Sequence, residues 1–146
     1  ATSAGHGEAN ALHLGTVGAV ARDLEGSLAA GTSTGGTTNQ WHGRVSDSAI
    51  IGAGTYADNR SCAVSTTGQG DFFIRATAAH RLSALVWPGG MRLRTAATRV
   101  LRDVRALGGQ GGLIAVDHRG ELALPFSTTA MYRAWFDGAR CFVRVF

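Results

Sequence analysis

The first apolar residues of the chain repeat with the two-residue period of a β-strand. Apolar positions between 17 and 21 alternate from Thr16 onward, and strand-like character resumes at 27–32 after the turn-forming residues 23–26. This pattern predicts a β-hairpin. The segment 1–15 that precedes it is small, polar and rich in Gly and Ala, which predicts a flexible tail.

Two further apolar runs, at 49–54 and 61–66, predict strands separated by a turn at Asp58-Asn59. The segment 33–48, between the hairpin and these runs, is rich in Gly, Thr, Asn and Ser. A loop of this length inside a compact domain is usually functional. We therefore expect part of a site in this loop.

Helical periodicity begins near the middle of the chain. Asp71 opens a segment that is helical to about Val86 and is ended by Pro88-Gly89-Gly90, and an acidic first residue complements the helix dipole. In the next segment, apolar residues recur at spacings of three and four on one helix face until Gly108-Gly109 ends it. These apolar residues are Leu93, Ala96, Ala97, Val100, Leu101, Val104 and Leu107.

Strand patterns return after the helices. A second hairpin is predicted at 112–117 and 121–125 around residues 118–120, followed by a last strand at 140–146. Strands and helices are thus segregated along the chain. This order predicts an α+β fold, an antiparallel sheet with helices on one face. The other face should pack against a second sheet from another chain or another copy.

Composition restricts the possible functions. The chain has 146 residues, 45% of them hydrophobic, which suits one domain with a real core and is too short for two. It has a net charge of +4 and no lysine, and its arginines are scattered apart from a loose group at 92–105. A nucleic-acid binder would more often concentrate its charge on one face. No apolar run approaches the ~18 residues of a membrane span. We therefore expect neither a nucleic acid nor a membrane as partner.

The first residues, the cysteines, the histidines and the Gly-rich loops bear on the protein's compartment and on its cofactors. The first residues lack the basic and apolar segments of a secretory signal, which predicts a cytoplasmic location. Cys62 and Cys141 lie in apolar strand-like runs and predict two buried free thiols. No histidine has metal-ligand spacing, and the Gly-rich loops lack the Lys-Ser/Thr of a phosphate loop. The sequence therefore predicts no metal site and no nucleotide site.

The junction between Gly15 and Thr16 carries the most chemical information. A threonine hydroxyl is a poor nucleophile unless a base lies beside it. If the chain is cut before Thr16, the new α-amine becomes that base, with a reference pKa of about 7.7–8.0. By itself, a Gly-Thr pair before a strand is far more often a strand start than a nucleophile.

Longer motifs elsewhere in the chain favour the nucleophile over a simple strand start at Thr16. These motifs are TVGAVA at 16–21, LAAGTSTGG at 28–36, HGRVSDS at 42–48, GAGTYA at 52–57, STTGQGD at 65–71, GGQGGLIAVD at 108–117, LPF at 124–126 and MYRAW at 131–135. In order and spacing they resemble the β-subunit of plant-type L-asparaginases, also called isoaspartyl peptidases, which are N-terminal-nucleophile hydrolases. The resemblance runs from Thr16 to the end of the chain.

The resemblance implies catalytic roles at the matching positions. Thr16 would be the nucleophile, released when the precursor cleaves itself between Gly15 and Thr16. Thr34 would hydrogen-bond the nucleophile. Thr67 and the backbone N–H of Gly68 would form the oxyanion hole.

The resemblance also implies how substrate is held. Arg44 would bind the α-carboxylate, for which a guanidinium fork is well suited. Asp47 and the carbonyl of Gly70 would bind the α-ammonium. Spacing alone would favour a simple loop ion pair between Arg44 and Asp47. Two positions depart from the family pattern, Ser46 for a glycine and Ala49 for a proline, and we expect altered loop rigidity with the same contacts.

The family further implies that the chain is half of a larger assembly. Residues 16–146 would be the β-subunit catalytic domain and 1–15 the end of the α-subunit linker. Together the two subunits would form an αββα sandwich and assemble as an (αβ)₂ heterotetramer. The α-half would supply the second sheet, part of the pocket and a structural sodium ion, and no cofactor is expected. With Gly15 still attached to Thr16, the chain is precursor-like.

The implied activity is hydrolysis of L-asparagine to aspartate and ammonia, and of β-aspartyl dipeptides to aspartate and an amino acid. Two alternatives remain open. A glycosylasparaginase would share the patterns at 42–44 and 52–54, although 35–39 and 124–126 look like an asparaginase. A non-catalytic, uncleaved assembly module would retain the fold without the reaction.

Overall fold

The computed structural model describes residues 15–146. Its strands are β1 (Thr16–Arg22), β2 (Leu28–Thr34), β3 (Thr55–Ala57), β4 (Cys62–Gly68), β5 (Gly111–Asp117), β6 (Leu122–Ala123), β7 (Arg133–Phe136) and β8 (Cys141–Arg144). Between β4 and β5 lie the helices α1 (Gly70–Ala76), α2 (Ala78–Val86) and α3 (Leu93–Ala106). Antiparallel strands and segregated helices confirm the α+β class. Apart from Gly15, the tail predicted at 1–15 lies outside the described residues and stays a prediction.

A central antiparallel sheet of order β3-β4-β5-β6 organises the domain. β4 and β5 pair along their full length, from Cys62 opposite Asp117 to Gly68 opposite Gly111. Because side chains alternate across a strand, one face of this sheet packs on the helices and forms the core. The largest fully buried core side chains are Phe73, Leu82, Leu93, Leu113, Val64, Val100 and Val104.

Helix α3 follows its predicted apolar stripe. Its buried residues are those at spacings of three and four, from Leu93 to Val104. Leu107, the last residue of the predicted stripe, is the C-cap and is 38% exposed. Among residues 15–146, no helix is both long enough and apolar enough to cross a membrane.

The β1–β2 hairpin packs on the opposite face of the central sheet. Gly18 of β1 approaches Ser65 of β4 so closely that a Cβ at residue 18 would lie 2.9 Å from the Ser65 Cβ atom. Thr32 Oγ1 and Ser65 Oγ are hydrogen-bonded at 2.7 Å. The second layer therefore comes in part from this same chain, which corrects the expectation that another chain or copy supplies it.

The prediction of a strand at 49–54 is wrong, because this segment forms a turn. A 3₁₀ turn at Asp47–Ala49 leads into a tight reversal in which the Ile50 carbonyl accepts from the N–H groups of both Ala53 and Gly54. Gly52 has a φ of 92°, in the left-handed region that favours glycine. Only residues 52–54 of this segment are buried, whereas Ile51 is 81% exposed, and the strand itself begins at Thr55.

The helix predicted at 71–86 is two helices. Thr77 adopts a left-handed conformation, with φ 48° and ψ 48°, and its N–H caps α1 at the carbonyls of Phe73 and Ile74. Apolar residues on both sides of the break, such as Phe73 and Ala78, are fully buried. The hydrophobic pattern therefore continues through the break and does not reveal it.

The C-terminal region also differs from prediction. The last strand is shorter than 140–146, and it pairs with β7, which the sequence did not predict. Trp135 of β7 stacks on Phe142 of β8, with ring centroids 5.1 Å apart. Cys62 is a buried free thiol as predicted, but Cys141 is exposed because it lies on this peripheral two-stranded sheet.

Candidate active site

A single cavity of about 480 Å³ is lined by every residue predicted for the site. The residues come from the open end of the β1–β2 hairpin, the loop after β2, and the turn between β4 and α1. Those predicted to be catalytic are Thr16, Thr34, Thr67 and Gly68, those predicted to bind substrate are Arg44, Asp47 and Gly70, and Gly15 belongs to the predicted cleavage site. The fold therefore brings together groups that are up to 55 positions apart along the chain.

Thr16 and Thr34 form the hairpin end of the cavity. They are directly paired in the β1–β2 register. The Thr16 hydroxyl donates to Thr34 Oγ1 at 3.4 Å, and the same oxygen accepts the backbone N–H of Gly36 at 3.0 Å. Thr34 is thus fixed from two sides. The α-nitrogen of Thr16 is part of the peptide bond to Gly15 and is not a free amine in this chain.

The turn from β4 to α1 supplies Thr67 and Gly68. Gly68 has a φ of 139°, and a Cβ there would lie 2.6 Å from the Gly111 Cα atom, so a glycine is required. The Gln69 N–H donates to the Gln110 carbonyl at 3.0 Å, and the Gln110 N–H donates to Gln69 Oε1 at 2.9 Å. These reciprocal bonds hold the turn against the start of β5. The backbone beside Thr67 is therefore fixed.

Asp47 is the buried charge of the site, at 4% exposure. Its Oδ2 accepts the Thr66 hydroxyl at 2.9 Å, and its Oδ1 accepts the Ser46 hydroxyl at 3.1 Å. A Cβ at Gly70 would lie 2.7 Å from Oδ1, so the helix start can approach the carboxylate only as glycine. None of the ion pairs among residues 15–146 includes Asp47. Its carboxylate therefore lines the cavity with no cationic side chain of residues 15–146 within ion-pair distance.

Arg44 lies at the exposed side of the same cavity. Its guanidinium donates to Gln40 Oε1 at 3.3 Å, and its backbone N–H donates to the Trp41 carbonyl at 3.2 Å. The loop ion pair with Asp47 that spacing alone would favour is absent from the described residues. Because a guanidinium has five N–H donors, Arg44 retains donors that can meet an anion in the cavity.

Sequence reasoning missed one wall of the cavity, residues 128–130 between β6 and β7. This wall is anchored by Ser127, whose N–H donates to the Gly111 carbonyl at 2.8 Å and whose hydroxyl accepts the Gly111 N–H at 3.1 Å. A Ser-Thr-Thr run after a proline was the available signal. The other cavity residues that were not predicted for the site are Gly36, Thr37, Ser46, Gln69 and Gln110.

The marked pKa shifts of Cys62 and Asp58 lie away from the cavity. Burial raises the pKa of the Cys62 thiol to about 12. Hydrogen bonds from Arg60 lower the pKa of Asp58 to about 2. Within the described part of the chain, no group of three or more His, Cys, Asp or Glu side chains could hold a metal ion.

Comparison with known proteins identifies the family. The family model described as "Asparaginase" matches residues 2–143. The isoaspartyl peptidase of Escherichia coli (strain K12) is 60% identical over 123 residues, 84% of this chain and 38% of that protein. The isoaspartyl peptidase/L-asparaginase of Xenopus laevis is 46% identical over 124 residues, with coverages of 84% and 40%.

A plant relative shows the same relationship. The probable isoaspartyl peptidase/L-asparaginase 2 of Arabidopsis thaliana is 47% identical over 118 residues, 81% of this chain and 36% of that protein. The chain therefore spans well under half the length of each of these relatives. The family match covers nearly the whole chain, and it confirms the resemblance carried by the motifs. The chain belongs to the asparaginase family.

Proposed function

We propose that the chain is the nucleophile-bearing half of an N-terminal-nucleophile hydrolase that cleaves L-asparagine and β-aspartyl dipeptides. The observation that carries this proposal is the single cavity shared by the Thr16–Thr34 hydroxyl pair, the Arg44 guanidinium and the buried Asp47 carboxylate, which forms no ion pair with the described chain. An amino acid with its α-carboxylate on Arg44 and its α-ammonium on Asp47 complements these charges. The names of the relatives, isoaspartyl peptidase and L-asparaginase, describe the same class of substrate.

The proposed reaction first requires maturation. The Thr16 hydroxyl attacks the Gly15 carbonyl, and the peptide becomes an ester as the Thr16 nitrogen leaves as an amine. Water then hydrolyses this ester and releases the carboxylate of Gly15. The product is a Thr16 whose own α-amine can act as its base near neutral pH.

In the proposed acylation step, the α-amine of Thr16 takes the hydroxyl proton as Oγ1 attacks the side-chain amide carbonyl of substrate. The tetrahedral oxyanion receives hydrogen bonds from the Thr67 hydroxyl and the Gly68 N–H. The intermediate collapses when the Thr16 ammonium returns its proton to the leaving nitrogen. Ammonia or an amino acid leaves, and a β-aspartyl ester remains on Thr16.

In the proposed deacylation step, water attacks that ester and gives a proton to the same amine. Aspartate leaves and the Thr16 hydroxyl is restored. Thr34 orients the nucleophile throughout, supported by its own bond from Gly36. The proposed steps use the Thr16, Thr34 and Thr67 side chains, the Gly68 N–H and the Thr16 amine, and the structural sodium ion would belong to the α-half.

The proposed partner is the α-half of the same precursor, in an (αβ)₂ assembly. Several large apolar side chains are exposed on the chain, and we propose that the α-half covers part of this apolar surface. They include Val17, Trp41, Ile51, Tyr132, Phe136, Val143 and Phe146. The lengths of the relatives leave room for this second half. A reducing, cytoplasmic setting is part of the proposal and suits the free thiol of Cys62.

The decisive experiment combines intact-mass measurement with hydrolysis assays. The chain is co-expressed with its α-half, and aspartate release is measured from asparagine, a β-aspartyl dipeptide and a glycosylated asparagine. We expect a chain that begins at Thr16 and activity on the first two substrates. Activity on the glycosylated substrate alone would identify a glycosylasparaginase. A stable bond between Gly15 and Thr16 with no hydrolysis would identify an assembly module.

A further inference from the structure

The Asp47 carboxylate accepts a hydrogen bond from Thr66, a residue that does not line the cavity containing Arg44 and Asp47. Thr66 Oγ1 lies 2.9 Å from Asp47 Oδ2 and 3.5 Å from the Ala53 carbonyl oxygen. A hydroxyl has one proton, and the shorter bond to a charged acceptor is the stronger one. The Thr66 proton therefore points at Asp47.

Thr66 is placed for this task by strand geometry. Successive side chains of a strand point to opposite faces, so Thr66 and Thr67 project to opposite sides of β4. Thr67 lines the cavity that contains Arg44 and Asp47, whereas Thr66 is 1% exposed and is not part of that cavity wall. The buried Thr66 hydroxyl therefore meets the cavity that contains Arg44 through its bond to the Asp47 carboxylate.

We propose that Thr66 is a positioning residue that aims the Asp47 carboxylate at the α-ammonium of the substrate. This inference rests on the proposed function and deepens it. Oδ1 is already confined by the Ser46 hydroxyl and by the close approach of Gly70. The Thr66 bond to Oδ2 fixes the remaining rotation of the carboxylate. It also ties the loop that recognises substrate to the strand that carries Thr67.

The test compares two ligands that differ in one group. L-aspartate carries both the α-carboxylate and the α-ammonium, and succinate lacks the ammonium. Binding of each to the assembled, mature protein is measured by calorimetry. In Thr66→Val, which keeps the side-chain shape, we expect aspartate to bind roughly 10-fold more weakly or worse, the loss for a charged hydrogen bond. Succinate affinity should stay within about 2-fold, since it makes no use of Asp47.

Matched variants separate positioning from general damage. Thr66→Ser keeps the hydroxyl and should restore the preference for aspartate. Ser61→Ala removes another buried hydroxyl of the β4 region, bonded to Ser83 at 2.6 Å and remote from Asp47, and should leave the preference unchanged. If Thr66→Val does not fold, Thr66→Ala provides the same comparison.

Equal weakening of both ligands, or unchanged aspartate binding in Thr66→Val, would overturn the inference. The inference would also fail if the unsubstituted protein bound aspartate no better than succinate. The measurement does not depend on turnover. A parent that binds aspartate selectively but hydrolyses no β-aspartyl amide would refute the proposed function and leave the positioning role in place.

Discussion

The hydroxyl oxygens of Thr16 and Thr34 lie 3.4 Å apart at the open end of the β1–β2 hairpin, on residues that the strand register pairs directly. The pairing means that the proposed nucleophile is positioned by sheet geometry and not by a loop. Six further register pairs, ending at Arg22 opposite Leu28, hold the hairpin behind it. The proposed nucleophile thus lies on a regular strand pair, as precise nucleophile geometry requires.

Replacing Thr16 tests whether the chain cuts itself. In Thr16→Ala no hydroxyl can attack the Gly15 carbonyl, so we expect the bond between residues 15 and 16 to remain intact and hydrolysis to be lost. Thr16→Ser retains a hydroxyl at the same position and should still be cleaved. Intact-mass measurement of both variants decides the point. Cleavage of the alanine variant would show that another group or another protease acts.

Local patterns predicted much of the fold. The apolar stripe on α3 and the hairpin formed by the first two strands depend on residues close together in sequence, so periodicity revealed both. The turn at 49–54 was mistaken for a strand because Ala49, Ile50 and Ile51 form an apolar run, although Ile51 is exposed in the turn. The break at Thr77 leaves no mark in the hydrophobic pattern, since it depends on one backbone conformation.

In the candidate site, too, some features could be predicted from the sequence and others could not. Its residues were identified by motif resemblance, and the fold places them in one cavity. The bond between Thr66 and Asp47 joins residues 19 positions apart, and no spacing rule reports it. The wall at 128–130 reaches the cavity only because Ser127 is bonded to β5. Contacts of this kind are set by tertiary structure.

Arg44 should determine substrate affinity. Arg44→Lys keeps the charge but loses the planar fork, and Arg44→Ala loses both. We expect mainly a raised KM, with a loss of roughly 1.5–3 kcal/mol in kcat/KM for the lysine variant and a larger loss for alanine. Steady-state kinetics on asparagine measure the effect. Unchanged kinetics in both variants would place Arg44 outside the site.

Gly70 should tolerate no side chain. A Cβ at this position would lie 2.7 Å from Asp47 Oδ1, so Gly70→Ala must displace the carboxylate. We expect a raised KM for asparagine and a loss of roughly 1–3 kcal/mol in stability, as for other overpacked sites. Gly31→Ala is the control, because a Cβ there meets no atom within 4 Å. Equal KM values and melting temperatures for the two variants would contradict the close approach.

The two cysteines should differ sharply in reactivity. Cys141 is exposed, whereas Cys62 is fully buried and its pKa is raised to about 12. Its folded-state pKa lies above pH 8, so Cys62 stays a neutral thiol there and is a poor nucleophile. Alkylation of the native protein at pH 8, followed by peptide mapping, should label Cys141 first and Cys62 only after unfolding. Comparable labelling rates would show that the β4 core opens readily.

A test of the proposed oxyanion hole distinguishes an enzyme most sharply from a structural module. Thr67 lies where β4 ends, beside Gly68, whose φ of 139° and contact with Gly111 fix the backbone. Its hydroxyl would matter most when negative charge develops on the amide oxygen and less while substrate merely binds. Thr67→Val keeps the shape and removes the donor, so we expect kcat to fall by roughly 10²–10³ with little change in KM.

The measurement is steady-state hydrolysis of asparagine and of a β-aspartyl dipeptide by the mature, assembled Thr67→Val protein. Thr67→Ser serves as the control, because it returns a hydroxyl to the same position and should recover most of kcat. Intact mass must be checked first, since a defect in cleavage at Gly15 would also abolish turnover. If kcat of the valine variant stays within a few-fold of the parent for both substrates, the oxyanion is stabilised elsewhere. The Thr67–Gly68 turn is then structural only.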